Sequence, residues 1–508
     1  MKRSVPITAA GLALAASAFA AAGAMGAFVA APKSAHAAEG ACASLRAPGL
    51  FRHTTVTSAA MVVADPAKGL PAYCEVTAVV TPVAGSNIGV VVRLPEAWNG
   101  KMLGLGGGGW AGNVRLDAAA PGLKTGYATA QTDGGHATTG PWDTAWASNP
   151  ESITDFAYRA IHQMTAVGKL VVARYYGKPE TKAYYQGCST GGRQGLMEVQ
   201  RFPDDYDGVI AGAPVYNLLV QTSAVIRDHV FTAPGAGFTA AQLSLVNRTV
   251  LGACDAKDGL ADGVIADPGA CAWDPAELQC KAGAAAGSDC LSEGQVNALR
   301  TAYRGVQTID GRTAAWPLSR GGEVGWSLFI STSADKPDAS NGGGLGGLAG
   351  PILGDPKFDM GKFDPDTDLA KVRSSAFAHA YEANDPTIST FVDRGGKLLM
   401  WHGLSDPGPS PVGTIAYYRQ VESAVPAADS GVRLFLAPGV YHCGGGPGPD
   451  RMDLLGALDR WVQTGQAPQT LLATKADGKI SRPLCAYPAE AHYKGAGDPD
   501  AAASFECR

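Results

Sequence analysis

The sequence predicts an α/β fold, with a mostly parallel sheet covered by helices and a second domain inserted into it. Strand-like runs, glycine turns and helix-like segments alternate in residues 73–201, as in the βα units of a parallel sheet. Strand-like runs become rare in residues 217–393 and then return. We therefore predict a discontinuous core domain of residues 38–216 and 394–508, interrupted by a lid domain of residues 217–393.

The N-terminal segment is typical of an export signal. Met1-Lys2-Arg3 is positively charged, an apolar Ala-rich stretch continues to Ala31, and Ala35-His36-Ala37 fits a cleavage site. A membrane anchor is the alternative, but alanine and glycine are only weakly apolar. We expect a signal peptide over residues 1–37, cleaved before Ala38, and a secreted or periplasmic protein. About 470 residues would then remain, which is more than a single core usually holds.

Charge and cysteine content narrow the function classes. The net charge is −5, and the lysines and arginines do not cluster, so neither nucleic acid nor a membrane surface is an expected partner. All ten cysteines follow the predicted cleavage site, and an even number in an exported protein indicates disulfides. A zinc site is disfavoured because no C-x-x-C pair is present and the histidines are scattered.

Three segments define the first half of the core domain. Residues 89–94 and 101–105 are strand-like, and the second run leads directly into Gly106-Gly107-Gly108-Gly109. Residues 155–175 place apolar side chains at helical spacing, which predicts a helix there. The glycine run therefore lies where a strand of the predicted sheet ends.

A reactive serine is predicted at the next strand end. Gly187-Cys188-Ser189-Thr190-Gly191 matches G-x-S-x-G and lies between strand-like residues 183–186 and helix-like residues 193–201. Small flanking residues permit the sharp turn that exposes a serine hydroxyl above the sheet of an α/β hydrolase. The fold prediction thus becomes an α/β-hydrolase core with a large inserted lid, and Ser189 is the predicted nucleophile.

A serine hydroxyl needs a base, which in this fold follows an acid along the chain. Asp406 follows the strand-like run that ends near Trp401, and His442 follows the run that ends near Leu436. Their order predicts Asp406 as the acid and His442 as the general base. His402 is the rival histidine, but it precedes the acid, so we interpret it as a packing residue or a neighbour of the site.

Backbone N–H groups are expected to stabilise the oxyanion. Thr190, directly after the nucleophile, should supply one, and either Gly108 or Gly109 the other. The same geometry would bring Cys188, before the serine, close to Cys443, after the histidine. We expect a disulfide there rather than a catalytic Cys188 thiolate, because an export compartment is oxidising.

An acidic loop in the lid suits Ca²⁺, which prefers oxygen ligands. The predicted ligands are three carboxylates and two backbone carbonyls, from Asp255, Asp258 and Asp262, and from Leu260 and Val264. Their spacing is not that of an EF-hand, and a solvated acidic turn is the alternative. A Cys254–Cys271 bridge would close this loop.

Several motifs together resemble the tannase and feruloyl esterase family, which includes the mono(2-hydroxyethyl) terephthalate hydrolases. They are Asp155-Phe156-Ala157-Tyr158-Arg159-Ala160, Gly187-Cys188-Ser189-Thr190-Gly191-Gly192-Arg193-Gln194, Arg201-Phe202-Pro203-Asp204-Asp205-Tyr206-Asp207-Gly208 and Tyr441-His442-Cys443. The resemblance covers nearly the whole mature chain. It implies the Cys188–Cys443 bridge, a structural calcium in the lid, and further bridges Cys42–Cys74, Cys280–Cys290 and Cys485–Cys507.

The resemblance also implies small ester substrates built on an aromatic acid. Feruloyl and other hydroxycinnamoyl esters are the first expectation, and gallate esters or a terephthalate monoester are the alternatives. Arg320 and Trp326 of the lid are candidates for gripping the acid, whereas position 190 is threonine where some relatives carry glutamate.

The predicted reaction is acyl transfer to water through an acyl-enzyme, with a monomer or homodimer as the assembly. Two other functions compete with it. A serine peptidase would use the same triad, and a calcium-stabilised secreted binding protein would need no catalysis.

Overall fold

The computed structural model of the protein describes residues 35–332 and 345–508. Most of the predicted signal peptide, residues 1–37, lies outside these residues, and so do residues 333–344 of the predicted lid. No helix within the described part of the chain is long and apolar enough to cross a membrane.

The centre of the molecule is a nine-stranded sheet in the order β1-β2-β3-β5-β4-β6-β7-β10-β11. The strands from β5 to β11 in this order are parallel, whereas β1, β2 and β3 form an antiparallel edge. The strands are β1 Thr54–Val62, β2 Tyr73–Val80, β3 Ile88–Pro95, β4 Lys101–Leu105, β5 Ala128–Thr132, β6 Lys182–Cys188, β7 Gly208–Gly212, β8 Val306–Gln307, β9 Thr313–Ala315, β10 Lys397–Gly403, β11 Val432–Ala437, β12 Arg451–Met452, β13 Thr470–Thr474, β14 Ser481–Cys485, β15 Ala491–Tyr493 and β16 Phe505–Cys507.

Helices cover both faces of the sheet. The helices of the described residues are α1 Ala35–Ser44, α2 Leu116–Lys124, α3 Pro150–Thr154, α4 Ala160–Tyr176, α5 Thr190–Arg201, α6 Leu219–Thr232, α7 Ala240–Cys254, α8 Glu293–Arg304, α9 Ala349–Leu353, α10 Pro365–Ser374, α11 Ala376–Tyr381, α12 Ser389–Asp393, α13 Pro411–Ala424, α14 Ala428–Gly431 and α15 Leu454–Thr464. Because both faces are covered, the central strands β7 and β10 are buried almost throughout and read as continuous small or apolar runs.

The edge strands show the other pattern. Side chains of β2 alternate between buried and half-buried positions, as expected for a strand with one face on the core. The two faces of the sheet pack into separate apolar clusters, one around Val92, Met164 and Leu196, the other around Leu103 and Trp461.

Residues 217–332 and 345–393 add no strand to the nine-stranded sheet. They fold into α6 to α12, short turns and the two-stranded sheet of β8 and β9. Two further apolar clusters hold this region together, and one of them includes Trp110 and Phe156 from the part of the chain that precedes it. This region, called the lid below after its prediction, therefore packs against the rest of the protein beside the glycine run that follows β4.

Five disulfides join all ten cysteines, and among the described residues no cysteine is free. The pairs are those expected from the sequence and the family resemblance: Cys42–Cys74, Cys188–Cys443, Cys254–Cys271, Cys280–Cys290 and Cys485–Cys507. The Cys188–Cys443 bridge spans 255 positions and links the last residue of β6 to the loop that follows β11.

Candidate active site

Ser189 lies at the sharp turn between β6 and α5, with φ 62° and ψ −125°. This is a conformation that L-residues rarely adopt. The turn is tight because a Cβ at Gly187 would overlap the backbone of Gly191. The Ser189 N–H donates to the carbonyl of Gly212 at 3.0 Å, and the Ser189 carbonyl accepts from the N–H of Arg193 at 3.1 Å. The strained serine is thus fixed from both sides.

Asp406 lies in the loop after β10 with 1% of its surface exposed. Its Oδ2 accepts a hydrogen bond from His442 Nδ1 at 2.6 Å, and its Oδ1 accepts from the N–H of Gly408 at 2.8 Å. Burial alone would raise the pKa of this carboxyl, but His442 and His402 outweigh it and lower the pKa to about 2. The carboxylate is therefore ionised at neutral pH.

His402 supports the acid rather than the nucleophile. Its Nε2 lies 3.2 Å from Asp406 Oδ2 and 3.1 Å from the carbonyl oxygen of Pro409, and both oxygens can only accept. Nε2 therefore bears the proton, and Nδ1 accepts from the Thr414 hydroxyl at 2.8 Å. The imidazole is fully buried. This arrangement agrees with the interpretation of His402 as a neighbour of the site.

His442 and Ser189 line the same cavity, and the His442 side chain is 10% exposed. The hydrogen bond to Asp406 fixes the proton on Nδ1, which leaves the lone pair of Nε2 free to accept a proton. Cys443 continues directly from the histidine with φ 61° and is bonded to Cys188. The disulfide thereby joins the residue before the serine to the residue after the histidine.

The glycine run after β4 offers one free backbone donor. The N–H groups of Gly106, Gly107 and Gly108 donate to the Gln186 carbonyl, the Gln194 side chain and the Ala111 carbonyl, respectively. The choice of Gly108 as an oxyanion donor is therefore corrected, because its N–H is already bonded within a turn.

Gly109 lines the cavity, and its N–H has no partner among the described residues. Its φ of 60° and its approach to Pro141, where a Cβ would overlap the carbonyl oxygen, both require glycine. Thr190 stands opposite. As the first residue of α5 it has an N–H outside the helical ladder, and its Oγ1 donates to the Gly109 carbonyl at 2.6 Å. The two predicted donors are thus joined by one side-chain hydrogen bond.

The cavity beside Ser189 and His442 has a mostly apolar wall. The Phe329 ring meets His442 edge-on at 4.9 Å between ring centroids, and Trp142 meets Phe329 edge-on at 6.3 Å. The lid helix α6 contributes the wall residues Val220, Gln221 and Ala224.

The structure places Arg320 and Trp326 elsewhere, which corrects their prediction as substrate-binding residues. Trp326 is 1% exposed and packs on Phe231 and Tyr303 inside the lid. Arg320 stacks on Tyr303 at 4.4 Å and donates to the carbonyl of Trp273. Both serve the lid core, and neither lines the cavity beside the serine.

Sequence reasoning missed Arg227 of α6, which is 4% exposed. Its guanidinium donates to the carbonyls of Gly408 at 3.0 Å, Pro407 at 3.4 Å and Trp316 at 2.8 Å. Burial lowers the pKa of Arg227 to about 10, although the charge of Asp406 opposes the shift. An arginine of the lid thus holds the loop whose Gly408 N–H orients the Asp406 carboxylate. No sequence pattern signals this contact across the domains.

The acidic loop of the lid, which the sequence predicts to bind calcium, carries the three carboxylates of Asp255, Asp258 and Asp262. Burial raises the pKa of Asp255 and of Asp258, and the charge of Asp262 adds to both shifts. A cation would relieve this repulsion. In the described residues, however, no three acidic, histidine or cysteine side chains are placed so that they could hold a metal ion. Asp262 Oδ2 instead lies 2.6 Å from Arg482 Nη2. Calcium binding by Leu260, Val264 and the three carboxylates stays a prediction.

The order of the parallel strands and the serine at the β6–α5 turn define the class of protein as an α/β hydrolase. The structure of feruloyl esterase B from Aspergillus oryzae superposes with a TM-score of 0.84 at 28% sequence identity, covering 93% of this chain and 100% of that one. The tannin acyl hydrolase from Aspergillus niger shares the fold with a TM-score of 0.75 at 23% identity, covering 92% and 94% of the two chains.

The sequence profile described as "Tannase and feruloyl esterase" matches residues 74–508. Mono(2-hydroxyethyl) terephthalate hydrolase from Piscinibacter sakaiensis is 35% identical over 523 residues, covering 87% of this chain and 85% of that protein. Feruloyl esterase B from Aspergillus niger is 32% identical over 461 residues, covering 85% and 86%. The chain belongs to the tannase and feruloyl esterase family and is a carboxylic-ester hydrolase of that type.

Proposed function

We propose that the protein is a secreted serine esterase that hydrolyses esters of aromatic acids through a triad of Ser189, His442 and Asp406. One observation carries this proposal. The strained serine and the histidine line one cavity, and the buried, ionised Asp406 binds the histidine nitrogen that the reaction does not need. This is the division of roles that nucleophilic catalysis by a hydroxyl requires.

In the proposed reaction, His442 Nε2 removes the proton of the Ser189 hydroxyl as its oxygen attacks the ester carbonyl. The oxyanion that forms accepts hydrogen bonds from the N–H groups of Thr190 and Gly109. Collapse of this intermediate expels the alcohol, which takes the proton from His442, and leaves the acyl group on Ser189. Water then attacks the acyl-enzyme with His442 again as the base, releasing the acid and restoring the serine.

The aromatic wall supports an aromatic acyl group as substrate. Phe329 lies against the base and Trp142 against Phe329, and both line the cavity, where aromatic rings attract each other beyond the apolar area they bury. Feruloyl and related hydroxycinnamoyl esters are proposed first, in line with the feruloyl esterases among the relatives. Gallate esters and mono(2-hydroxyethyl) terephthalate are the alternatives, the latter because of the relative that is named for it.

Export is proposed from the N-terminal sequence and agrees with five disulfides, which form in oxidising compartments. N-terminal sequencing of the protein recovered outside the cytoplasm is expected to begin at Ala38. A protein that retains Met1 there would contradict cleavage.

The experiment that tests the function is hydrolysis by the purified mature protein of methyl ferulate, methyl gallate, mono(2-hydroxyethyl) terephthalate and p-nitrophenyl acetate. Ser189→Ala is the matched control and is expected to fold normally and lose turnover. Activity retained in Ser189→Ala would contradict the triad. Turnover of anilides at rates equal to the matched esters would favour a peptidase. Calcium-dependent ligand binding without any turnover would favour a binding protein.

A further inference from the structure

The backbone from Gly108 to Ala111 carries the N–H group that is proposed to bind the oxyanion. The carbonyl of Gly108 accepts a hydrogen bond from the N–H of Ala111 at 3.2 Å. The C=O and the N–H of a planar trans peptide point in opposite directions. The direction of the Gly108 carbonyl therefore sets the direction of the Gly109 N–H, which belongs to the same peptide.

The following peptide, between Gly109 and Trp110, is held on both sides. Its carbonyl accepts a hydrogen bond from Thr190 Oγ1 at 2.6 Å, and its N–H donates to the carbonyl of Pro141 at 2.7 Å. A rotation of this peptide would break both hydrogen bonds at once.

The third peptide, between Trp110 and Ala111, is held by His136. The Nε2 atom of His136 lies 2.8 Å from the Trp110 carbonyl oxygen, which can only accept, so Nε2 bears a proton and donates it. The imidazole stacks on Trp146 at 4.5 Å between ring centroids and meets Phe156 edge-on at 5.6 Å. The side chain is buried, and burial lowers the pKa of His136. His136 is therefore a fixed donor that is uncharged at neutral pH.

The hydrogen bond of His136 acts on the oxyanion donor through the third peptide. The Trp110 carbonyl and the Ala111 N–H belong to this peptide and point in opposite directions. A hydrogen bond at the carbonyl thus also fixes the N–H, which binds the Gly108 carbonyl opposite the Gly109 N–H. Without the His136 donor, the Trp110 carbonyl would be buried and unpaired, and this peptide would turn toward another donor. The Gly109 N–H would then lose its fixed direction.

We infer that His136 is a positioning residue of the proposed reaction, which aims the Gly109 N–H at the oxyanion through its hydrogen bond to the Trp110 carbonyl. The inference rests on the proposed esterase function and extends it to a residue that does not line the cavity. The competing interpretation is that His136 only fills space beside Trp146 and Phe156. Packing needs the ring of His136, whereas positioning needs its Nε2–H group.

The test compares the hydrolysis of p-nitrophenyl acetate with that of its thionoester, in which sulfur replaces the carbonyl oxygen. Sulfur accepts hydrogen bonds only weakly, so the thionoester gains little from well-aimed N–H groups. The ratio of kcat/KM for the ester to kcat/KM for the thionoester therefore reports on the oxyanion donors. A loss of folded protein lowers both rates equally and leaves this ratio unchanged.

His136→Asn and His136→Gln are the matched pair. Both replace the ring by an amide, but only the longer glutamine brings an N–H group to the place of the histidine Nε2. We expect His136→Asn to lower the ratio about tenfold, since a whole oxyanion donor contributes about 10²-fold or more, and His136→Gln to keep it near the wild type. His136→Phe keeps a stacking ring without the donor and should behave like His136→Asn. His162→Asn, at a histidine outside the cavity wall that binds Asp205, is the control and should change neither rate.

A double variant tests whether His136 and Thr190 act on the same N–H group. Thr190→Val frees the Gly109 carbonyl and should also lower the ratio. Because both changes misdirect one donor, His136→Asn combined with Thr190→Val should lose less than the product of the two single losses. Losses that multiply in full would overturn the inference that His136 acts on the Gly109 N–H.

The outcomes separate the inference from the function it rests on. Turnover of no ester by the wild type would refute the esterase function itself. An unchanged ratio in His136→Asn, with the variant folded by circular dichroism, would overturn the positioning role and leave the esterase standing, even if both rates fell together. A ratio that falls equally in His136→Asn and His136→Gln but is kept in His136→Phe would also overturn it, because the ring would then be the group that matters.

Discussion

Asp406 remains charged in a site without solvent because two imidazoles and the Gly408 N–H surround it. The variant Asp406→Asn keeps the shape but presents an amide to His442 Nδ1. The imidazole would then change tautomer and lose its free Nε2 lone pair. We expect kcat to fall by about 10⁴-fold with KM little changed, as measured by steady-state hydrolysis. A fall of less than tenfold would assign the acid to another residue.

The low pKa of the Asp406 carboxyl also predicts how the free energy of unfolding falls at low pH. Its pKa is about 2 in the folded protein against an ordinary 3.8, so the folded state favours its charged form. This stabilisation is fully present above about pH 4 and is lost as the pH falls through 2, about 2 kcal/mol in all. Urea unfolding between pH 4 and pH 2 should therefore show a steeper loss in the wild type than in Asp406→Asn. Parallel curves would contradict the low pKa.

Thr190 is proposed to bind the oxyanion through its backbone N–H, and its side-chain hydroxyl holds the Gly109 loop in place. Thr190→Val removes the hydrogen bond to the Gly109 carbonyl and frees the glycine loop, while the shape of the side chain is kept. We expect kcat to fall about tenfold or more, since loss of a whole oxyanion donor costs about 10²-fold or more. Thr190→Ser retains the hydroxyl and should remain near the wild type. Equal rates for both variants would remove Thr190 Oγ1 from the mechanism.

At this scale the sequence predicts the residues whose roles are set by chain order. Ser189, Asp406 and His442 follow strand ends in the order that the fold demands, so their meeting can be expected from chain order alone. Trp142 and Phe329 could not be found in this way, because they reach the cavity from two loops far apart in the chain. Trp326 was predicted to bind the substrate from its residue type alone, but its large apolar side chain is buried inside the lid.

Helix α6 belongs to the lid, yet its Arg227 holds the loop that follows Asp406. Arg227→Gln would leave the carbonyls of Pro407 and Gly408 without donors, and the loop beneath Asp406 would shift. We expect kcat to fall about 10²-fold, as small displacements of catalytic groups do, and added guanidinium to restore part of it. Arg300→Gln, at an exposed ion pair of the lid, is the control and should change nothing. An unchanged kcat in Arg227→Gln would show that this lid residue does not influence the position of Asp406.

The acidic loop between α7 and α8 predicts a calcium effect on stability. If Ca²⁺ binds there, excess calcium should raise Tm by several degrees and EDTA should reverse it, because a ligand of the folded state stabilises it. Asp262→Asn should abolish the response, whereas Asp289→Asn, at an exposed position outside the loop, should keep it. A Tm that is insensitive to calcium and EDTA would mean that Arg482 alone neutralises Asp262.

The helical segment of residues 150–176 differs from the single regular helix that its sequence periodicity predicts. The apolar spacing predicts one helix over 155–175, whereas the structure has α3, a π-helical turn Asp155–Arg159 and then α4. The cause is tertiary. The buried Arg193 guanidinium binds the carbonyls of Phe156 and Ala157, which a regular helix would direct elsewhere. No pattern within the segment contains that partner.

Across the whole molecule, one disulfide closes a 255-residue loop and another closes a 10-residue loop. Replacing both cysteines of the long loop, Cys188 and Cys443, by alanine should lower the free energy of unfolding by about 5 kcal/mol by the chain-entropy argument. The same change at Cys280 and Cys290 should cost about 3 kcal/mol. Only the first pair should also reduce kcat, because it ties the base to the nucleophile. Equal stability losses, measured in guanidinium chloride, would contradict the loop-length argument.

The overall architecture is predictable where local patterns repeat. Strand, glycine turn and helix recur around Ser189, and the apolar runs at β10 and β11 resume that order after residue 393. The lid is less predictable, because its two apolar clusters are built from short turns and helices that share no period. The contacts of Trp110 and Phe156 with the lid join segments that lie far apart in the chain, and only the folded protein reveals them.

The backbone conformation of Ser189 creates a conflict between protein stability and catalytic activity at one position. At φ 62° and ψ −125° the backbone of a residue with a Cβ is strained and is held in place by its neighbours, whereas glycine would adopt these angles without strain. A chain with Ser189→Gly would thus gain stability as it lost its nucleophile. Random mutagenesis screened only for thermal stability would therefore select inactive variants. Any effort to evolve a hardier form of this esterase has to select for turnover in every round.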